Sequence, residues 1–258
     1  MKVLITGASK GIGEALAYEF AKAGHDLILS ARSKDLLEEL ATKLEKNYAI
    51  KADILVADLS QVDGAINLIK HFEKMNQKID CLVNNAGIGV VGDFANSSFA
   101  ELTDMLQINI LSLSQLTHYF IKQFKEQGHG KILEVASMAG FQPGPLMAAY
   151  YASKAYVISL SEALAYELKG TKVSISILCP GTTETHFWKR SKGEETNLAK
   201  GYFGLMSAEK VAESAYQGLM NNKLFIIPGI FNKLLTIGMR LTPNIITQRI
   251  AALLNAKK

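Results

Sequence analysis

Short runs rich in β-branched and apolar residues alternate along this chain with longer segments whose apolar positions recur at helical spacing. Strand-like runs fall at Val3–Thr6, Leu27–Ser30, Ile54–Ala57, Asp80–Asn84, Lys131–Val135, Val173–Leu178 and Leu224–Ile227. Helical segments lie between them, at Gly13–Ala23, Leu36–Leu44, Gly64–Phe72, Leu111–Phe124, Tyr156–Leu168 and Glu209–Leu219. Repeated switching between these two periods predicts an α/β fold, a parallel sheet of about seven strands with helices on both faces. No low-complexity linker or internal repeat divides the chain, so one domain over residues 1–258 is expected.

The pattern changes after Pro228-Gly229. Phe231, Leu234, Leu235 and Met239 follow helical spacing, with Lys233 and Arg240 off that stripe. Thr242-Pro243 reads as the cap and first position of another helix, in which Ile246, Ile250 and Leu253 share a face. A helical extension over about 229–258 is expected to pack these faces on the body or on a partner subunit.

Composition narrows the class. The chain is 48 % hydrophobic and 20 % charged, ample material for one globular core. No apolar run is long enough to span a bilayer. Only Val3-Leu4-Ile5 precedes Thr6-Gly7, too little for a signal peptide, so a cytoplasmic protein is expected. Cys81 and Cys179 adjoin apolar strand-like runs and are expected to be buried and reduced. The five histidines lack metal-ligand spacing, and no metal site is expected.

The net charge of +4 does not point to nucleic acid, but its distribution is uneven. From Ser214 to Lys258 there is no acidic residue, while Lys223, Lys233, Arg240, Arg249, Lys257 and Lys258 are basic. Packing of the tail is the favoured reading. Its alternative is docking of the basic tail on an anionic membrane surface or an acidic protein-bound substrate.

In parallel α/β sheets, ligands bind beyond the carboxyl ends of the strands. The first such end carries Thr6-Gly7-Ala8-Ser9-Lys10-Gly11-Ile12-Gly13 and then a helix. Glycines there let the backbone approach a diphosphate, and the helix start offers free N–H groups to it. The spacing is Gly-x3-Gly-x-Gly rather than the commoner Gly-x-Gly-x-x-Gly. After the second strand, Leu29-Ser30-Ala31-Arg32-Ser33 holds an arginine where an acid would select NAD(H). Arg32 can grip a 2′-phosphate with two hydrogen bonds, and Lys10 adds a second cation, so NADP(H) is favoured over NAD(H). Asp58, after the third strand, either accepts from an adenine amino group or is a solvated loop carboxylate.

Tyr150 and Lys154 lie at i and i+4, on one helix face. A nearby ammonium favours phenolate and makes a tyrosine useful for proton transfer. Tyr151 has Ala155 four residues on and lacks that partner. Together, Thr6–Gly13, Asn84-Asn85-Ala86-Gly87, Asn109, Ser137, Tyr150-x-x-x-Lys154 and Pro180-Gly181 resemble the short-chain dehydrogenase/reductase superfamily, in that family's order, over about residues 1–228.

The resemblance implies a Rossmann-type doubly wound sheet and an NADPH-dependent oxidoreductase that reduces a ketone or aldehyde, or runs the reverse. It implies Tyr150 as the acid/base, Ser137 on the substrate oxygen, Lys154 on the nicotinamide ribose, and Asn109 anchoring a water next to Lys154. Cofactor contacts are expected at Gly7, Ser9, Lys10, Gly11, Ile12, Gly13, Arg32, Asp58, Ala86, Gly87, Tyr150, Lys154, Pro180, Gly181 and Thr185. Asn84 is placed on the cofactor side or is structural. The stretch from Thr185 to about Gly204, with His186, Phe187 and Trp188, is expected to be an irregular substrate lid. Phe141, Pro143, Pro145 and Met147 are expected to wall a hydrophobic substrate pocket. Family members commonly form homodimers or homotetramers through the helices near Leu111–Phe124 and Tyr156–Leu168. Two other functions stand on the same fold: a nucleotide-binding regulator and a membrane-associated interaction protein.

Overall fold

The structure, a computed structural model, describes residues 1–201 and 204–256, so Lys257 and Lys258 of the basic tail lie outside the described residues. The chain runs β1 (Lys2–Thr6), α1 (Gly11–Lys22), β2 (Asp26–Ala31), α2 (Lys34–Asn47), β3 (Ala52–Val56), α3 (Gly64–Lys74) and β4 (Cys81–Asn84). It continues through α4 (Phe99–Leu106), a π-helical turn (Gln107–Ser112), α5 (Leu113–Gln127), β5 (Gly130–Val135), α6 (Ala148–Glu167) and β6 (Val173–Leu178). Then follow β7 (Thr183–Glu184), α7 (Phe187–Arg190), β8 (Met206–Ser207), α8 (Ala208–Met220), β9 (Phe225–Ile226), α9 (Ile230–Leu241) and α10 (Asn244–Asn255).

Seven strands form one parallel sheet in the order β3-β2-β1-β4-β5-β6-β9, a Rossmann-type doubly wound fold. The order reverses at β1 and β4, so their carboxyl ends diverge and leave a crevice. Period-two alternation sends Val3 and Ile5 to one core and Leu4 to the other, as Leu27 and Leu29 oppose Ile28. Both faces are covered, which is why these strands read as continuous apolar runs. One face is packed by α1 and α8. The other is packed by α3 and α5, where Phe72 meets Phe120 edge-on at 5.3 Å. β7 and β8 pair as a separate two-stranded ribbon.

Several boundaries differ from the pattern reading. The segment expected as a helix from Leu111 begins with the π-helical turn, and α5 ends at Gly128, whose φ of +82° closes the helix. Helix α6 begins at Ala148 rather than Tyr156, because its first turns bury Tyr151, Ser153 and Lys154 instead of an aliphatic stripe. Leu224–Ile227 pairs only through Phe225–Ile226.

The two tail helices form, but α10 is rotated from the expected face. Thr247, Ala251 and Asn255 are buried, while Ile246, Ile250 and Leu253 are exposed. Polar contacts set that rotation. The Asn255 amide donates to the Pro145 carbonyl at 2.9 Å, and the Asn197 amide donates to the Leu253 carbonyl at 2.8 Å. Ala251 joins a small cluster with Met147 and Tyr151.

Candidate active site

A single cavity of about 940 Å³ runs from the carboxyl ends of β1 and β2, past β4 and β5, to the inner faces of α9 and α10. Such a volume is at the large end of ligand sites. Its floor is the glycine turn, where Gly7 and Gly11 take φ values of +65° and +61°. A Cβ on Gly7 would lie 2.8 Å from the Ala86 Cα, so β1 and β4 meet almost backbone to backbone. Thr6 and Asn85 lock that meeting. The Thr6 hydroxyl accepts from the Asn85 and Ala86 N–H groups at 3.0 and 3.1 Å, and the Asn85 amide donates to the Thr6 carbonyl at 2.9 Å.

Helix α1 starts after Lys10 without a side-chain cap, leaving its first N–H groups at the cavity beside Ser9, Gly11 and Ile12. Uncapped donors plus the helix dipole make a diphosphate cradle, and glycine at 7 and 11 lets Ala86 and Thr185 close in beside it. A dinucleotide fits this end of the cavity. Pro180, Gly181 and Thr185 line its opposite wall, with Thr185 Cγ2 3.1 Å from a Cβ built on Gly11.

Farther along the same end, Arg32 lies 3.9 Å from Asp58. Burial opposes ionisation of Asp58, but hydrogen bonds from Ser60 and the Arg32 charge outweigh it and hold the carboxyl below its usual range. Arg190 of α7 lines the cavity too. Burial, and next the like charge of Arg32, lower its pKa, with Asp58 opposing. Sequence reasoning missed Arg190 because the lid was expected to be irregular, whereas α7 fixes its direction.

At the other end, α6 projects Tyr150 and Lys154 into the cavity beside Ser137, which follows β5. The Lys154 ammonium donates to the Val135 carbonyl at 2.8 Å and lies 5.9 Å from the Tyr150 ring centre. Its pKa falls to about 8 through burial, with Glu134 and Cys179 opposing. Burial raises the Tyr150 phenol above its ordinary value, and the Ser137 hydroxyl pulls the other way. Ser137 Oγ also accepts from the Ala139 N–H at 3.1 Å, which holds the hydroxyl at the strand end. Tyr151 also borders the cavity but has other partners: it is buried against Met147, and its hydroxyl reaches Asn255.

Among its described residues the lid carries helix α7, while Tyr202 and Phe203 lie outside the described residues. Phe187 of α7 packs on the Tyr150 ring at 5.2 Å, and a Cβ on Gly89 would fall 2.5 Å from the Phe187 ring. Met147, Tyr151, Trp188 and Leu198 line the apolar part, with Met239 and Leu254 from the tail helices. Of the expected wall, only Met147 lines the cavity. Phe141 instead packs on Phe225 and carries the Arg240 guanidinium at 4.7 Å, while the Pro145 carbonyl is spent on Asn255.

Three expected site residues stand behind the cavity wall. The Asn84 amide donates to the Thr117 hydroxyl at 2.9 Å and the Glu134 carboxylate at 3.1 Å, so Asn84 ties β4 to α5 and β5 rather than facing a cofactor. Gly13 serves packing: a Cβ there would sit 2.3 Å from the Gly7 carbonyl oxygen. Asn109, fully buried in the π-helical turn, spends its amide on the Ile88 carbonyl at 2.9 Å and the Ser153 hydroxyl at 3.0 Å. Its carbonyl oxygen accepts from the Ile88 N–H at 3.0 Å. Both amide hydrogens are used, leaving that group no donor for a water.

Sequence reasoning also missed Glu134, a fully buried acid on β5 whose Oε1 accepts from Thr117 at 2.7 Å and whose Oε2 has no hydrogen-bond partner. Burial lifts its pKa to about 7, against the hydrogen bonds and the Lys154 charge. Since the folded value exceeds the unfolded one, the neutral acid's contribution is complete below the unfolded pKa of 4.5 and is lost as pH rises through about 7. Glu134→Gln cannot ionise. It is expected to melt with the wild type at pH 4 and about 3 °C or more above it at pH 8. Scanning calorimetry at both pH values checks this; equal melting at pH 8 would show that Glu134 titrates normally.

A family model described as short chain dehydrogenase matches residues 1–196. A 7beta-hydroxysteroid dehydrogenase of Clostridium sardiniense is 32 % identical over 230 residues, 89 % of this chain and 86 % of that protein. Estradiol 17-beta-dehydrogenase 11 of Mus musculus is 33 % identical over 258 residues, 99 % of this chain and 84 % of that protein. Among solved structures, a short-chain dehydrogenase from Sphingobium yanoikuyae in complex with NADPH superposes with a TM-score of 0.82 at 30 % identity, covering 89 % of this chain and 88 % of that one. With the sheet order and the glycine turn in place, the chain belongs to the short-chain dehydrogenase family of oxidoreductases.

Proposed function

We propose that this protein is an NADP(H)-preferring carbonyl reductase, also able to oxidise the corresponding alcohol, with Tyr150 as its acid/base. The observation that carries the reading is convergence: Tyr150, Ser137 and Lys154 face the same cavity that opens from the uncapped start of α1. A reduced nicotinamide bound there would supply hydride to the carbonyl carbon. Tyr150 gives its O–H proton to the carbonyl oxygen, and the Ser137 hydroxyl donates a hydrogen bond to that oxygen as its negative charge grows. Burial by itself raises the phenol pKa and makes its proton harder to release, against the lowering expected from Lys154; the Ser137 hydrogen bond works the other way. Lys154 stabilises the phenolate left behind and binds ribose hydroxyls. Asn109 is a positioning residue, holding the loop at Ile88 and the start of α6 through Ser153.

A panel of hydrophobic ketones and aldehydes, followed by NADPH absorbance with the Tyr150→Phe protein as blank, tests the assignment. Turnover of no carbonyl compound would overturn it. The apolar end of the cavity and the hydroxysteroid-acting relatives both support a bulky hydrophobic substrate.

Preference for NADP(H) rests on Lys10, Arg32 and Arg190, three cations lining the end of the cavity that carries Ser30, Ala31 and Asp58. A 2′-phosphate there would relieve the repulsion between Arg32 and Arg190. Arg32→Asp is expected to weaken NADPH binding about 10- to 100-fold while changing NADH binding little. Titration of cofactor fluorescence checks it, and wild-type protein that binds NADH as tightly as NADPH would refute the preference. Pairing of two copies through α5 and α6 has its support in the exposed Leu111 and Tyr156 beside those helices.

A further inference from the structure

The last two helices are apolar on the side that faces away from the body. On α9, Ile230, Ile237 and Leu241 form one outward stripe, with Ile230 78 % and Leu241 81 % exposed, and the exposed Leu234 stands at its edge on the rim of the cavity. The opposite side of α9 is seated: Thr236 is buried, and Leu235 and Met239 line the cavity. On α10, Ile245, Ile246 and Leu253 stand outward around Arg249, while Thr247, Ala251 and Asn255 face in. The Asn255 bond to Pro145, together with the Leu198 N–H bond to the Leu254 carbonyl at 2.9 Å, fixes this orientation. One side of each helix therefore walls the cavity, and the other leaves large apolar side chains uncovered. Helices apolar on two sides are normally covered on both, and monomer surfaces rarely carry such patches without a partner.

Charge decides which cover fits. No Asp or Glu occurs from Ser214 to Lys258. Lys233 flanks the α9 stripe and Arg249 lies within that of α10. A second copy docked through this face by two-fold symmetry would bring two cationic faces together, with no acid on either helix to compensate. An anionic lipid surface instead offers acyl chains to the isoleucines and leucines and phosphates to the cations. We propose that α9 and α10 dock this protein peripherally on an anionic lipid surface. Among the described residues no helix is long and apolar enough to cross a membrane, so the contact is interfacial. Because Leu235, Met239 and Leu254 line the cavity from the inner faces, docking would bring the substrate end of the cavity next to the lipid. Delivery of a lipid-dissolved carbonyl compound follows from that placement and rests on the carbonyl-reductase reading; the docking itself does not.

Flotation of the full chain with phosphatidylcholine vesicles, with and without phosphatidylglycerol, tests the proposal. The wild type is expected to float with the phosphatidylglycerol vesicles and to be released by salt. Lys233→Gln and Arg249→Gln should each lower partitioning about fivefold. Ile237→Glu combined with Leu241→Glu, both outside the cavity lining, should lower it at least about tenfold. The melting temperature and the turnover of a water-soluble ketone should stay at wild-type values in all of these variants. Wild-type protein that fails to float, or floats equally with phosphatidylcholine alone, overturns the proposal. So does a dimer that the Ile237→Glu/Leu241→Glu pair dissolves without any vesicle binding, which would assign the face to a second copy. Flotation without turnover of any carbonyl compound would strike the reductase reading and leave the docking standing.

Discussion

Tyr150→Phe is expected to lower kcat by about 10²- to 10⁴-fold while leaving the NADPH dissociation constant nearly unchanged. The ring is kept, so its contact with Phe187 at 5.2 Å and the start of α6 are undisturbed. What is lost is the one phenolic proton next to Ser137. Tyr151→Phe is the internal control. That hydroxyl reaches Asn255 at 3.4 Å, a long contact between α6 and α10, and its loss should alter stability slightly and kcat by less than about threefold. Single-turnover measurement with saturating cofactor separates the chemical step from binding. Comparable kcat in Tyr150→Phe and wild type would remove Tyr150 from the mechanism and turn attention to Lys154 and His186, which line the same cavity.

The second large effect is expected at Gly13. An alanine Cβ there would stand 2.3 Å from the Gly7 carbonyl oxygen and 2.4 Å from the Asn85 amide nitrogen that donates to that same oxygen at 3.1 Å. Neither neighbour is the free end of a flexible side chain, so the turn must move. Gly13→Ala is expected to cost about 3 kcal/mol or more and to lower the melting temperature by roughly 6 °C or more. NADPH affinity should fall with it, because the displaced turn carries Ser9, Lys10 and Gly11. Gly238→Ala is the contrast. It lies within α9 with no atom inside 4 Å of its added Cβ, and better helix propensity should stabilise the protein by about 0.5–1 kcal/mol. A Gly13→Ala protein that melts with the wild type would show that the turn relaxes freely.

Much of this site is legible along the chain because its parts are local. The glycine turn, the uncapped helix start after Lys10 and the i, i+4 pair Tyr150–Lys154 each lie within a few residues and carry their own geometry. The central strands are legible for another reason: buried on both faces, they leave little room for polar residues. Glu134 escapes detection on the same grounds. In Lys131-Ile132-Leu133-Glu134-Val135 an acid looks like an outward position, and only the placement of β5 between β4 and β6, under α5, buries it beside Asn84 and Thr117. Arg190 escapes because its approach to Arg32 joins residues far apart in the chain.

The tail draws the same line most clearly. Spacing alone predicts two amphipathic helices after Gly229, and both are present. It does not say which way they face, because apolar residues occupy more than one side of each. The choice on α10 is made by contacts across more than a hundred residues, Asn255 with Pro145 and with Tyr151, and by Ala251, small enough to sit against Met147. Periods, turns and caps are governed by chain neighbours, so the sequence by itself determined the strand–helix alternation, the cofactor turn and the Tyr150–Lys154 pair. Rotation, burial and charge pairing depend on partners that only the fold brings near. Tertiary structure therefore decided the roles of Asn84, Gly13 and Asn109, the burial of Glu134 and the outward apolar face of the tail.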